Sequence, residues 1–104
     1  MNSWTALELF QPDPELLYPI EAAARLACVP RRLIALYCRH GLVSPIMDPE
    51  SGGWFFNDDG VRALRRIEYL RAVCDMNLTA IGMIMRLSDE VERLREEIRI
   101  LRPV

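Results

Sequence analysis

Between Tyr18 and Val43 the chain holds two short helical stretches with almost nothing between them. In YPIEAAARLACVPRRLIALYCRHGLV, Ile20, Ala23, Ala24 and Ala27 recur at the three-to-four-residue spacing of one helical face. Cys28-Val29-Pro30 leaves room only for a tight turn. Pro30 suits a helix start, where its missing N–H would have no partner in any case, and Gly41 suits the position just past a helix end. The second helix, from about Pro30 to Gly41, is expected to turn Leu33, Leu36 and Tyr37 inward and Arg31, Arg32, Ala35 and Arg39 outward. Two helices joined in this way form a helix-turn-helix, and the rest of the chain must pack around it.

Leu42-Val43 and Trp54-Phe55-Phe56 are short apolar runs that bracket SPIMDPESGG. Pro45, Pro49 and Gly52-Gly53 punctuate turns, so this stretch predicts a β-hairpin wing. Alternation along it aims Trp54 and Phe56 at the domain and Phe55 outward. Asn57 then caps a helix with Asp58 and Asp59 in its first turn, where carboxylates suit the helix dipole. Val61, Leu64, Ile67 and Leu70 form its inner face; Arg62, Arg65, Arg66 and Glu68 lie mostly outside. Asn77 caps a further helical stretch in which Leu78, Ile81, Ile84 and Met85 look inward. Ser88-Asp89-Glu90 either caps another helix or lies inside one long one. Beyond it Val91 and Ile98 occupy heptad position a, and Leu94 and Leu101 position d; Ile84 and Leu87 extend the register backwards. Glu90 and Glu97 at g with Arg95 and Arg102 at e complete the chemistry of a parallel two-stranded coiled coil. The same stripe could instead fold back onto the domain's own core.

The expected organisation is a tail or short strand at residues 1–17, a winged helix-turn-helix domain at 18–87, and a leucine-rich C-terminal helix at 88–104. In the tail, Leu7 and Leu9 alternate, while Trp4 and Phe10 would dock on the domain or form a partner-binding arm. A length of 104 residues suits one modest core. Apolar runs are too short for a bilayer, and the N-terminus lacks a basic-then-apolar leader, so a cytoplasmic protein is expected. Cys28, Cys38 and Cys74 form no C-x-x-C pair and are expected to be small buried apolar residues. His40, the single histidine, falls in the last turn of a helix. No phosphate-cradling loop, metal-ligand cluster or nucleophile–base spacing is visible, so neither an enzyme nor a cofactor is expected. Every basic residue is arginine, yet the net charge is −2, so charge placement must decide whether nucleic acid is a partner.

From Tyr18 to about Leu87 the chain resembles the MerR winged-helix domain. The resemblance rests on Tyr18, Val29, Arg32, Tyr37, Arg39, Gly41-Leu42, the wing, and the helix RALRRIEYLRAVCDMNLTAIGMIM. It implies a mainly helical winged helix-turn-helix. Departures bear on function: Ala35 stands where a second outward arginine is usual, and the wing lacks its arginine. Between Met47 and Asp59 the chain has Asp48, Glu50, Asp58 and Asp59 and no basic residue. Within that superfamily the chain is most similar to the chaperone-modulator (CbpM-type) proteins. That similarity is carried by Trp54, Phe56, Asn57-Asp58, Leu70-Arg71, Leu78, Ala80-Ile81-Gly82 and Leu87-Ser88-Asp89.

The closer resemblance implies a non-enzymatic modulator that binds and restrains the J-domain of a DnaJ-like (CbpA-type) co-chaperone. A basic helix of the J-domain would meet Asp48, Glu50, Asp58 and Asp59, with Asp75 and Asp89 as further acids and Phe55 as an apolar anchor. The alternative is a dimeric MerR-family regulator of transcription that binds double-stranded DNA. Arg31, Arg32 and Arg39 would face the major groove, and Arg62, Arg65 and Arg66 would reach phosphates. In either case Ile84, Leu87, Val91, Leu94, Ile98 and Leu101 form the expected seam of a homodimer. MerR-type dimers pair these helices antiparallel, whereas the e/g charges here favour a parallel pair.

Overall fold

The computed structural model describes residues 16–102. The expectations for Trp4, Leu7, Leu9 and Phe10 lie outside those residues. The elements are β1 (Tyr18–Pro19), α1 (Ile20–Ala27), α2 (Arg31–Arg39), β2 (Ile46–Met47), β3 (Trp54–Phe56), α3 (Asp58–Ala72) and α4 (Leu78–Leu101). Helices α1 and α2 make the helix-turn-helix, and the antiparallel sheet, in the order β1-β3-β2, makes the wing.

Both helices of the motif end in the same way. At the end of α1, Cys28 N–H donates to Arg25 O and Val29 N–H to Ala24 O; at the end of α2, Gly41 N–H donates to Cys38 O and Leu42 N–H to Tyr37 O. This paired pattern is the Schellman motif, which requires a left-handed residue followed by an apolar one. Gly41 (φ +72°) meets the requirement easily; Cys28 meets it at φ +58° despite its Cβ. Val29 is then buried in the core, which sets the direction in which α2 departs. This conformation turns the Cys28 side chain to the surface, and Cys74 too is exposed while Cys38 is half-buried. The expectation of three buried cysteines is therefore corrected. Side-chain position here follows the turn geometry rather than hydrophobicity.

The core joins Ile20, Ala23 and Ala27 of α1, Val29 of the turn, Ile34 and Tyr37 of α2, Val43 of the following loop, Phe56 of β3, Val61, Leu64 and Ile67 of α3, and Ile81 of α4. On α2 the buried stripe is rotated from the expected one: Ile34 takes the centre with Tyr37, and Leu33 and Leu36 are half-buried. The expected first strand of the wing is also corrected. Leu42-Val43 is no strand: Val43 drops into the core and Leu42 packs against it, so pairing begins only beyond Pro45, with Ile46 opposite Phe55 and Met47 opposite Trp54. A third strand enters from before the motif, with Tyr18 opposite Phe56 and Pro19 opposite Phe55. Asn57 and Asn77 cap α3 and α4 as expected, their side chains accepting from Gly60 N–H and Ala80 N–H at 2.8 Å.

Of the two possibilities at Ser88-Asp89-Glu90, the structure has the single helix, running 24 residues from Leu78. It rests on the domain through its first turns, where Ile81 and Gly82 are buried. A Cβ on Gly82 would stand 3.3 Å from Leu42 Cδ2, so the bare glycine lets the helix approach this closely. From Asp89 to Leu101 every residue is exposed, an arm about 20 Å long at 1.5 Å per residue.

Replacing Cys28 with Gly relieves the left-handed penalty of about 1–2 kcal/mol and adds back roughly half to one kcal/mol of unfolded-chain entropy. Urea unfolding should accordingly show Cys28→Gly to be more stable, by about 0.5–1 kcal/mol. A loss would mean that the Cys28 side chain contributes more than its turn conformation costs.

Candidate nucleic-acid interface

The second helix of the motif presents its outer face from a fixed mount. Tyr37 buries its ring beneath α2, and its hydroxyl donates to Glu68 Oε2 at 2.6 Å on α3. Arg71 Nε donates to the same hydroxyl at 2.9 Å, and Arg71 Nη2 to Glu68 Oε1 at 2.6 Å. Burial and the Glu68 carboxylate push the Tyr37 phenol up to about 12, so it stays a neutral donor at physiological pH. The Arg71 and Tyr37 hydrogen bonds hold the Glu68 carboxyl below its usual range. Sequence spacing could suggest the Glu68–Arg71 pair, three residues apart on one helix, but not its link to Tyr37, 31 residues away.

On the outer face Arg31, Arg32 and Arg39 are all exposed. Arg31 pairs with Glu21 of α1 at 3.1 Å, whereas the Arg32 and Arg39 guanidiniums have no partner among the described residues. The other three arginines of α3 are differently placed. Arg62 pairs with Asp59 in its own first turn. Arg65 donates through Nε and Nη2 to Leu26 O at 3.0 and 2.8 Å, closing the C-terminal end of α1, and Arg66 donates to Ser88 Oγ of α4 at 2.5 Å. These side chains tie α3 to its neighbours, and reaching a phosphate would mean giving up those bonds.

The carboxylates of the wing region are likewise mostly engaged. Asp48 accepts from Ser51 Oγ at 2.8 Å and from Glu50 N–H at 3.1 Å, which shapes the hairpin turn and lowers its pKa. Tyr18 Oη donates to Asp58 Oδ1 at 2.9 Å, joining β1 to the start of α3, and Asp59 holds Arg62. Among the described residues the Glu50 side chain alone of the four has no partner. Phe56 is buried; Trp54 and Phe55 are half-buried. Between the wing and α2 lies an open cleft of about 340 Å³ lined by Ile20, Arg31, Ala35, Gly52, Gly53 and Trp54. The described residues hold no cluster of side chains suited to a metal ion.

On the arm, Leu87, Val91, Leu94, Ile98 and Leu101 are exposed, Leu101 by 79%, and Ile84 is half-buried. The stripe does not fold back on its own domain. Its charges pair along the helix: Arg93 with Glu90 and Glu97, Arg95 with Glu92, and Arg99 with Glu96.

A folded-state Glu68 pKa below its ordinary 4.5 gives stability that is complete above that value and lost as pH falls through the depressed one. Stability measured by urea unfolding should therefore decline below about pH 4.5, and Glu68→Gln should flatten that part of the curve. An identical acid profile in the variant would show that other carboxylates govern it.

With this geometry in hand, comparison with known proteins is direct. The family described as "MerR HTH family regulatory protein" matches residues 18–103. No curated protein matches the chain. Among solved structures, "HiNmlR, a MerR family regulator lacking the sensor domain, bound to promoter DNA" is similar with a TM-score of 0.64 and 20% identity. That match covers 81% of this chain and 66% of HiNmlR, so the chain spans just under two thirds of that neighbour. A transcriptional regulator of the MerR family from Bacillus cereus is similar with a TM-score of 0.59 and 23% identity, over 82% of this chain and 72% of the other. At these identities the two structures speak for the fold, and the family match over residues 18–103 carries the assignment: the chain belongs to the MerR HTH regulatory family.

Proposed function

We propose that the chain is a non-enzymatic, homodimeric DNA-binding regulator of the cytoplasm that lays α2 in the major groove. The observation that carries this reading is the placing of unpaired positive charge. Arg32 and Arg39 project from the outer face of α2 without a partner among the described residues, and Arg31 at the same surface has one exposed ion pair there. Exposed pairs of that kind are worth about 0–1 kcal/mol, so a phosphate can displace Glu21. Family membership supports the same reading, as does the promoter DNA in the HiNmlR structure. Arg62, Arg65 and Arg66 would serve as outlying phosphate contacts only by exchanging their present bonds. No described helix is long and apolar enough to cross a membrane.

The exposed seam supports the dimer. An arm of this length is marginal as an isolated helix in water, and its intrahelical ion pairs add only about 0.2–0.5 kcal/mol each. Burying the stripe against a second copy stabilises it far more. Because Glu90, Glu97 and Arg95 are already paired within the helix, their charges do not impose a parallel arrangement.

One observation favours a second reading, a chaperone modulator that restrains the J-domain of a DnaJ-like co-chaperone. The wing offers no basic residue between Met47 and Asp59, and Glu50 in its turn is exposed and without a partner among the described residues. Asp48, Asp58 and Asp59 would add to that field while keeping their structural bonds.

In mobility-shift titrations with random duplex DNA at low salt, micromolar binding that weakens steeply as salt rises is expected, and Arg32→Ala and Arg39→Ala should each weaken it. Absence of duplex binding, with J-domain capture that is lost in Glu50→Arg, would transfer the function to the second reading. In sedimentation experiments the native chain should be a dimer and Leu94→Asp a monomer; a native monomer would remove the seam.

A further inference from the structure

We infer that Arg32, Ala35 and Arg39 read base edges, selecting two guanines with a thymine between them, while the remaining arginines of the surface contribute no base preference. This rests on the DNA-binding reading and narrows it to a sequence class. Arg32 and Arg39 are seven residues apart, two turns of helix, and so share one line on the α2 surface within about 20°. The line lies opposite the stripe of Ile34 and Tyr37 that holds the helix to the core. Neither guanidinium is committed to a carboxylate among the described residues, so each keeps its planar donor fork for the O6 and N7 acceptors of guanine.

Their separation along the axis is about 10.5 Å. At roughly 3.4 Å per base pair that spans about three base pairs. Ala35 lies one turn beyond Arg32, on the side facing the wing, where it lines the cleft with Trp54 and Gly53. A methyl side chain there has no hydrogen bond to offer and leaves room, which suits the C5-methyl group of thymine. Arg65, whose fork is spent on Leu26 O, is not available for the same reading, and Arg31, held by one weak exposed pair with Glu21, is left to phosphate.

The test is selection of bound sequences from a randomised duplex pool by the full-length native chain, repeated with Arg32→Ala, Arg39→Ala and Arg32→Lys. Both sites are exposed, and circular dichroism would establish that each of the three variants is folded. The expected result is enrichment of two guanines about three base pairs apart, with each alanine variant losing one of them. Arg32→Lys should keep the salt dependence of the native chain and lose at least about tenfold of its guanine discrimination. Replacing the enriched thymine by uracil, which lacks the methyl, should weaken the native chain several-fold. Duplex binding without base preference, or a preference that survives both alanine variants, overturns the inference and leaves the DNA-binding reading standing. Failure to bind any duplex overturns both.

Discussion

The hydroxyl of Tyr37 is the point on which the geometry of the surface depends. Its ring is part of the core, and its oxygen sits between Glu68 and Arg71 on α3. A hydrogen bond to a charged group contributes about 1.5–3 kcal/mol, more than a neutral one, and it is directional where apolar packing is not. Apolar contacts hold α2 against the domain; this cluster fixes its rotation. The outer face, with Arg32 and Arg39, follows from that rotation.

A second consequence concerns how an acidic chain can present a positive surface. Of the four arginines on α3, one caps α1, one reaches α4, one neutralises the first turn of its own helix and one holds Glu68 and Tyr37. These groups bind the domain together through charge-assisted bonds to backbone and side chains, and little of their charge is left for a ligand. On the outer face of α2, where the helix-turn-helix meets solvent, Arg32 and Arg39 carry positive charge without a partner among the described residues. The net charge of −2 hides this, because it counts engaged and unengaged charges alike.

The arm of α4 shows the same economy in a different form. Most of its charged side chains pair along their own helix, and among the described residues nothing covers the apolar stripe. Helix, wing and arm are then separable tasks: the Schellman turns aim α2, the sheet builds the wing, and α4 carries the exposed stripe away from the core.

The sequence by itself determined the helix-turn-helix, the caps at Asn57 and Asn77, a wing ahead of Asn57 and the heptad stripe, whose exposure only the fold decided. Each is written in local spacing or in the conformational limits of proline, glycine and asparagine. It did not reveal that Cys28 adopts the left-handed turn, because glycine is the ordinary signal for that position. Nor could it show β1, since a two-residue strand has no periodicity and exists only because β3 pairs with it. The site divides in the same way. Outward arginines were legible from helical spacing, but which of them remain unpaired was decided by partners far along the chain: Leu26 for Arg65, Ser88 for Arg66, Tyr18 for Asp58. Spacing fixes the face on which a charge lies; only tertiary packing decides whether that charge is already satisfied, because its partner comes from another element.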